Sequence, residues 1–324
     1  MRALVVTELG VPPALRDVAE PVRQPGEALI ELLAASINPV DLGVASGRFF
    51  AGSPPVPYVA GAEGVGRVLE ADGYASGAVV WTGMQGLGIT RDGVLAERAV
   101  AREDGIVPVP EGVDPAIASA LGIAGLAGWL PLAWRAPVRA GDRVLVLGAT
   151  GTLGHVAVQA ARLLGASRVV AAGRRPEGLE RARSAGADAT VRLGEPEDLA
   201  ERLRAAFDGE GPTLVVDPLW GEPVVAAIEA AAPRARIVQL GQSAAPSAAI
   251  PSGAVRGKEL EILGYTNLRV PFDVLADGYR TLVGHARDGR IAIDVERVPL
   301  EQAPAAWARQ VAGSDTTLVV TFLR

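Results

Sequence analysis

An α/β fold, pairing a β-rich domain with a doubly wound parallel sheet, is predicted by three features of the chain. From Arg143 to Tyr265 short apolar runs alternate with amphipathic helical stretches, the pattern of parallel strands joined by crossover helices. The first of those runs leads into a glycine-rich turn, Gly148-Ala149-Thr150-Gly151-Thr152-Leu153-Gly154. Residues 1–110 carry apolar or alternating runs broken by Pro/Gly clusters, which reads as a β-rich domain.

Taken in order, strands are expected at 2–7, 28–36, 64–71, 78–81 and 94–101, separated by clusters such as Gly52-Ser53-Pro54-Pro55 and Gly83-Met84-Gln85-Gly86. A short helix from about Val40 to Ala45 interrupts them. The pattern changes at Asp114-Pro115, an N-cap followed by a proline at the first helical position, and helical segments continue to about Trp134. Six strands follow near 143–147, 168–172, 189–192, 213–217, 235–240 and 259–265, with helices between the first five. A helix near 272–288, a strand near 293–298, a helix near 301–312 and a strand at 317–322 exceed what the sheet needs. They are expected to return to the first domain. The predicted division is therefore 1–120, 121–265 and a returning segment 266–324.

Composition narrows the function. At 324 residues, 49% hydrophobic and 21% charged, the chain can fill two cores and is not a disordered one. A net charge of −6 without a basic stripe argues against a nucleic-acid surface. No apolar run of about 18 residues occurs and MRALVVTELG opens as a strand, so no membrane span or signal peptide is expected. With no cysteine there is neither disulfide nor thiolate metal site. The two histidines, His155 and His285, lie far apart and read as structural or surface residues. A cytoplasmic, metal-free protein is the economical expectation.

The glycine turn carries the strongest chemical signal. Between a buried strand, Val144–Leu147, and an amphipathic helix from about Leu153 to Leu164, it fits a dinucleotide-binding turn with Ala149 as the first small residue. Gly151 lets the backbone approach a pyrophosphate, Gly154 lets the helix pack on the strand, and the helix N-terminus supplies N–H groups. Ala149, Thr150, Gly151, Thr152 and Leu153 are the expected phosphate cradle. The next strand ends in Gly173-Arg174-Arg175. An acid there accepts from the free 2′-hydroxyl of NAD, whereas arginine receives the 2′-phosphate of NADP. NADPH is therefore the expected cofactor, against the alternative of a merely solvated arginine pair at a helix start.

Further motifs recur in a fixed order: Ser36-Ile37-Asn38-Pro39-Val40-Asp41, Pro57-Tyr58-Val59-Ala60-Gly61-Ala62-Glu63-Gly64-Val65-Gly66, Val109-Pro110-Glu111-Gly112-Val113, Gly125-Leu126-Ala127-Gly128-Trp129, Ala140-Gly141-Asp142-Arg143-Val144-Leu145-Val146 and the glycine turn. Val215-Val216-Asp217, Leu240-Gly241-Gln242-Ser243 and Lys258-Glu259-Leu260 continue the series. In these the chain resembles the medium-chain dehydrogenase/reductases, and within them the zinc-independent quinone oxidoreductase and enone reductase branch. The resemblance implies a GroES-like catalytic domain split by a Rossmann domain, an active site in the cleft between them, and a homodimer joined through the last Rossmann strand, about Glu259–Tyr265. It also implies cofactor contacts from Leu219, Gly241 and Ser243. Zinc-dependent relatives place a ligand histidine after the glycine matched by Gly61 and a cysteine within the segment matched by Ile37–Asp41. This chain has Ala62 and no cysteine, and its loop 82–93 lacks the four-cysteine lobe.

The implied reaction is hydride transfer from NADPH, without metal, to a quinone or to the electron-poor β-carbon of an enone or enal. Asn38 matches the asparagine beside the nicotinamide and would bond cofactor or substrate oxygen; the alternative is a turn asparagine before Pro39. Asp41 reads equally as a helix-start carboxylate. Phe49 replaces a frequent tyrosine, Ala127 a threonine, and Leu193 a tyrosine near the adenosine, where Arg192 is placed to reach the phosphate. Phe49, Phe50, Trp81 and Tyr265 are the expected apolar pocket, each aromatic being as readily core as wall. The proton donor is open among Tyr58, Tyr265 and water. A small hydrophobic carbonyl or quinone is thus the expected partner. An enoyl-thioester reductase and a non-catalytic NADPH-binding protein are the alternatives.

Overall fold

The computed structural model of the chain describes residues 1–195, 198–314 and 316–322. Two compact units emerge. One comprises Met1–Ala124, Pro271–Gly289 and Ile293–Arg324, the other Gly125–Val270 with Arg290–Ala292. The first is β-rich and the second is built on a parallel sheet, the α/β class that the sequence predicts.

The parallel sheet has six strands in the spatial order Ala189–Arg192, Arg168–Gly173, Arg143–Leu147, Leu214–Asp217, Arg236–Gln239, Glu261–Gly264. The first strand in sequence is thus central, and the winding reverses between it and Leu214–Asp217, which creates a topological switch point. Val144 to Leu147 are fully buried, as expected of strands covered on both faces by crossover helices. Those helices are Thr152–Leu163, Pro176–Ser184, Leu199–Ala206 and Glu222–Ala230. A fifth, Ser252–Gly257, precedes the last strand; it buries no residue and so left no apolar period in the sequence. The edge strand is shorter than 259–265 because Glu259 takes a left-handed backbone, φ +54°. Lys258, the single lysine, donates to the carbonyls of Ile228, Glu229 and Ala231 at 3.0, 2.7 and 2.9 Å, capping the helix Glu222–Ala230 at its C-terminus. At the amino ends of the strands, away from the switch point, Asp142 pairs with buried Arg236 at 2.5 Å and accepts from Thr213 at 2.8 Å. This ties together the amino ends of three strands.

In the β-rich unit Glu27–Ser36 is the hub of a seven-stranded sheet, pairing with Val65–Glu70, Arg98–Arg102 and the C-terminal strand Thr317–Thr321. A three-stranded sheet has Arg2–Val6 at its centre, between Ala14–Asp17 and Tyr58–Val59. The run predicted as one strand at 94–101 divides between the two. Val94 and Leu95 donate to the carbonyls of Gly61 and Ala60, Leu4 donates to Leu95, and only Arg98–Arg102 joins the large sheet. Asp114 caps the helix Pro115–Ala120, accepting from Ala116 and Ile117, as its sequence indicates. No helix among the described residues is long and apolar enough to cross a membrane.

Candidate active site

The glycine turn sits at the carboxyl end of the central strand, at the switch point. Gly148 has φ +66°, which only glycine adopts without strain, and Ala149 N–H bonds the Ala172 carbonyl at 2.9 Å, tying the turn to the neighbouring strand. A Cβ on Gly154 would lie 2.3 Å from the Gly148 carbonyl oxygen and 2.5 Å from Ala149 Cα, so this glycine lets helix and turn interlock. Gly151 is different: a Cβ there would meet only the Gly148 oxygen, at 3.9 Å. Its open side lies at the N-terminus of Thr152–Leu163, where no side chain caps the helix. An exposed glycine backbone before an uncapped helix end is the environment a pyrophosphate requires, and these residues fit one.

The other expected cofactor residues gather at the same strand ends. Leu219 packs over Gly148, and Ser243 donates from its backbone and its hydroxyl to Pro218 O, each at 3.2 Å. Gly241 passes so close to Pro218 that a Cβ would stand 2.5 Å from that carbonyl oxygen. Gly173 ends its strand opposite Arg192. Arg174 is exposed, Arg175 half-buried at the start of Pro176–Ser184, and Arg192 pairs loosely with Glu195 at 3.6 Å.

In the β-rich unit Asn38 precedes the helix Pro39–Ala45. Its backbone N–H donates to Asp41 at 2.7 Å, so Asp41 does serve the helix start. The other Asp41 oxygen accepts from Ala62 N–H at 2.8 Å. The Asn38 amide Nδ2 donates to Glu63 Oε1 at 2.8 Å, while Glu63 Oε2 accepts from Trp81 Nε1 at 2.8 Å and from Ile123 N–H at 2.7 Å. Glu63 is completely buried and Asn38 is 2% exposed. Burial pushes the Glu63 carboxyl up to about 8 and Asp41 to about 7, the N–H donors opposing the rise in each. Gly122 is required beside this cluster: a Cβ there would stand 1.7 Å from Glu63 Oε2.

Trp81, expected in a pocket wall, is instead core. It is fully buried, its indole is stacked 4.4 Å from the Tyr279 ring, and its N–H is taken by Glu63. Phe49 and Phe50 contact each other at 4.6 Å, with Phe50 76% exposed. Tyr265 donates to Asn267 Oδ1 at 2.5 Å and Tyr58 is buried; burial pushes both phenols up, Tyr58 to about 12. Glu63 was not singled out by sequence reasoning, although a lone acid inside Ala60-Gly61-Ala62-Glu63-Gly64-Val65-Gly66 is the signal of a buried, partnered carboxylate.

Residues 24–111 match the family model for the alcohol dehydrogenase GroES-like domain and residues 152–275 that for zinc-binding dehydrogenases. Quinone oxidoreductase-like protein 2 of Rattus norvegicus is 27% identical over 81% of this chain and 74% of its own length. Quinone oxidoreductase of Pongo abelii is 35% identical over 51% of this chain and 50% of its own, so that match spans about half of the relative. The chain is a quinone oxidoreductase-like medium-chain dehydrogenase/reductase. A crystal structure described as an NAD-dependent alcohol dehydrogenase, 28% identical, shares the fold with a TM-score of 0.88 over the full length of both chains. At the positions where zinc-dependent relatives place ligands, the described residues offer no matching donor set. Ala62 offers only its N–H, both Asp41 oxygens are hydrogen-bonded, and among the described residues no group of three or more His, Cys, Asp or Glu is placed to hold a metal.

Proposed function

We propose that this oxidoreductase uses NADPH to reduce a quinone, or the activated C=C of an enone or enal, without a metal. The observation that carries the cofactor choice is the strand end Gly173-Arg174-Arg175, which has two arginines and no acid, the composition that suits a 2′-phosphate over a 2′-hydroxyl. The quinone oxidoreductase relatives support the substrate class. Reduced nicotinamide supplies the hydride; the chain binds and orients it and excludes water from the reacting atoms. The glycine turn and the following helix would hold the pyrophosphate, with Leu219, Gly241 and Ser243 as further contacts and Arg192 for the adenosine phosphate. Asn38, its amide fixed by Glu63, would orient nicotinamide or the substrate oxygen, with Phe49 and Phe50 as apolar lining. Edge strand Glu261–Gly264, with Ile262 38% exposed, leaves unpaired backbone groups through which a homodimer forms. A cytoplasmic setting suits a chain without cysteine.

Oxidation of NADPH followed against quinones, enones and enoyl thioesters, with and without a chelator, tests this reading. Turnover with a quinone or enone, indifferent to chelation, is expected. Preference for enoyl thioesters would replace the substrate class, and no turnover with any acceptor would make the chain a nucleotide-binding protein. Replacing both arginines, Arg174→Ala with Arg175→Ala, is expected to erase most of the NADPH preference, since each charge-assisted hydrogen bond to phosphate is worth about 1.5–3 kcal/mol. Affinities of the double variant for NADPH and NADH check it.

A further inference from the structure

Gly173 is a glycine for a reason other than its backbone. It lies in a regular strand, outside the positive-φ residues, and is buried. What a side chain there would meet is Thr150. A Cβ on Gly173 would stand 2.4 Å from Thr150 Cγ2, and 3.4 Å from both Thr150 Cβ and Leu179 Cδ2. On the other side, a Cβ on Gly178, in the helix Pro176–Ser184, would stand 2.6 Å from Thr150 Cβ and 2.8 Å from its Cγ2. The threonine is therefore wedged in a slot between strand end and helix, with a glycine on each wall. Its branched Cβ leaves few rotamers to escape into.

We infer that Thr150 is a specificity-determining residue, whose methyl fills the place from which a carboxylate on the strand end would start and so excludes the acid that recognises NADH. The inference rests on the proposal that this turn and strand end bind a nicotinamide dinucleotide. An acid that accepts from a ribose 2′-hydroxyl must project from the strand end toward the glycine turn, and the Gly173 Cβ direction leads into Thr150. Charge and sterics then act together. Arg174 and Arg175 attract the 2′-phosphate, and the threonine prevents the strand from carrying the opposite preference. Truncation to alanine relieves the block, since the nearest remaining side-chain atom, Cβ, lies at the ordinary contact distance of 3.4 Å.

The test compares the parent with Gly173→Asp, Thr150→Ala and the double variant, reading melting temperature and the affinities for NADPH and NADH in one buffer. Gly173→Asp alone is expected to melt lower, to lose about tenfold or more in NADPH affinity and to gain nothing for NADH. Adding Thr150→Ala is expected to restore the melting temperature and tighten NADH about tenfold over Gly173→Asp. Thr150→Ala alone serves as the folding control. The inference is overturned if Gly173→Asp melts like the parent and binds NADH as well as the double variant. It is equally overturned if the double variant gains no NADH affinity, or fails to fold where Thr150→Ala folds. Equal affinity of the parent for the two cofactors would instead sink the arginine reading, while the gain from Gly173→Asp to the double variant would still decide the role of Thr150.

Discussion

Replacing Asn38 by alanine is expected to lower turnover by roughly 100-fold, the loss that follows when a positioning group is misplaced by about 1 Å or removed. The amide is unusually well fixed for a residue at a helix start. Its Nδ2 is held by a buried carboxylate at 2.8 Å and its backbone N–H by Asp41 at 2.7 Å. A group restrained in this way presents the rest of its amide without reorganisation at the moment of reaction. Alanine would also remove one of the three N–H donors to Glu63, and with that carboxyl pushed up to about 8 the lost bond is a neutral one, worth about 0.5–1.5 kcal/mol. The melting temperature should therefore fall by only a few degrees, roughly 1–5 °C. Single-turnover hydride transfer and thermal unfolding on one preparation separate the two effects. Unchanged activity per folded molecule would reduce Asn38 to a part of the scaffold.

Glu63 carries the second large effect, a dependence of stability on pH. In the folded protein its carboxyl is pushed up to about 8 from 4.5, and that of Asp41 to about 7 from 3.8. Across the interval between those values the native state retains protons that the unfolded chain has released. Their contribution is complete below the unfolded values and is lost as pH rises through the folded ones. Stability should accordingly decline between about pH 4 and pH 8 and level off above, by an amount on the order of several kcal/mol for groups so deeply buried. The ionisable groups facing Glu63 are Asp41 and Tyr279, both of which oppose its charge or are opposed by it. Glu63→Gln removes the larger titration, so its melting temperature should vary less over that range and approach the parent value at low pH. Identical pH slopes for the two proteins would show that Glu63 does not titrate there.

Much of this architecture was legible because local physics dictates it. The parallel strands announced themselves as apolar runs, the dinucleotide turn as glycines between a strand and a helix, and the helix start at Asp114-Pro115 as a cap. The acid-centred cluster was not legible in the same way. The donors to Glu63 come from residues 25, 18 and 60 positions away, and no local pattern joins Asn38, Trp81 and Ile123. For the same reason Trp81 read as either wall or core, a choice settled by its stacking on Tyr279, nearly 200 residues later in the chain. The two-residue strands Tyr58–Val59 and Val107–Pro108 are too short to show a period. The wedge at Thr150 joins two glycines, one of which read only as a strand end without an acid, through a contact that neither segment reveals alone.

Whether the strand end Gly173-Arg174-Arg175 selects NADPH is decided by titrating the parent protein with NADPH and with NADH at one ionic strength. Arginine–phosphate pairing predicts that NADPH binds at least about tenfold tighter and that the advantage shrinks as salt is raised. Equal affinity for the two cofactors, or tighter binding of NADH, would contradict it.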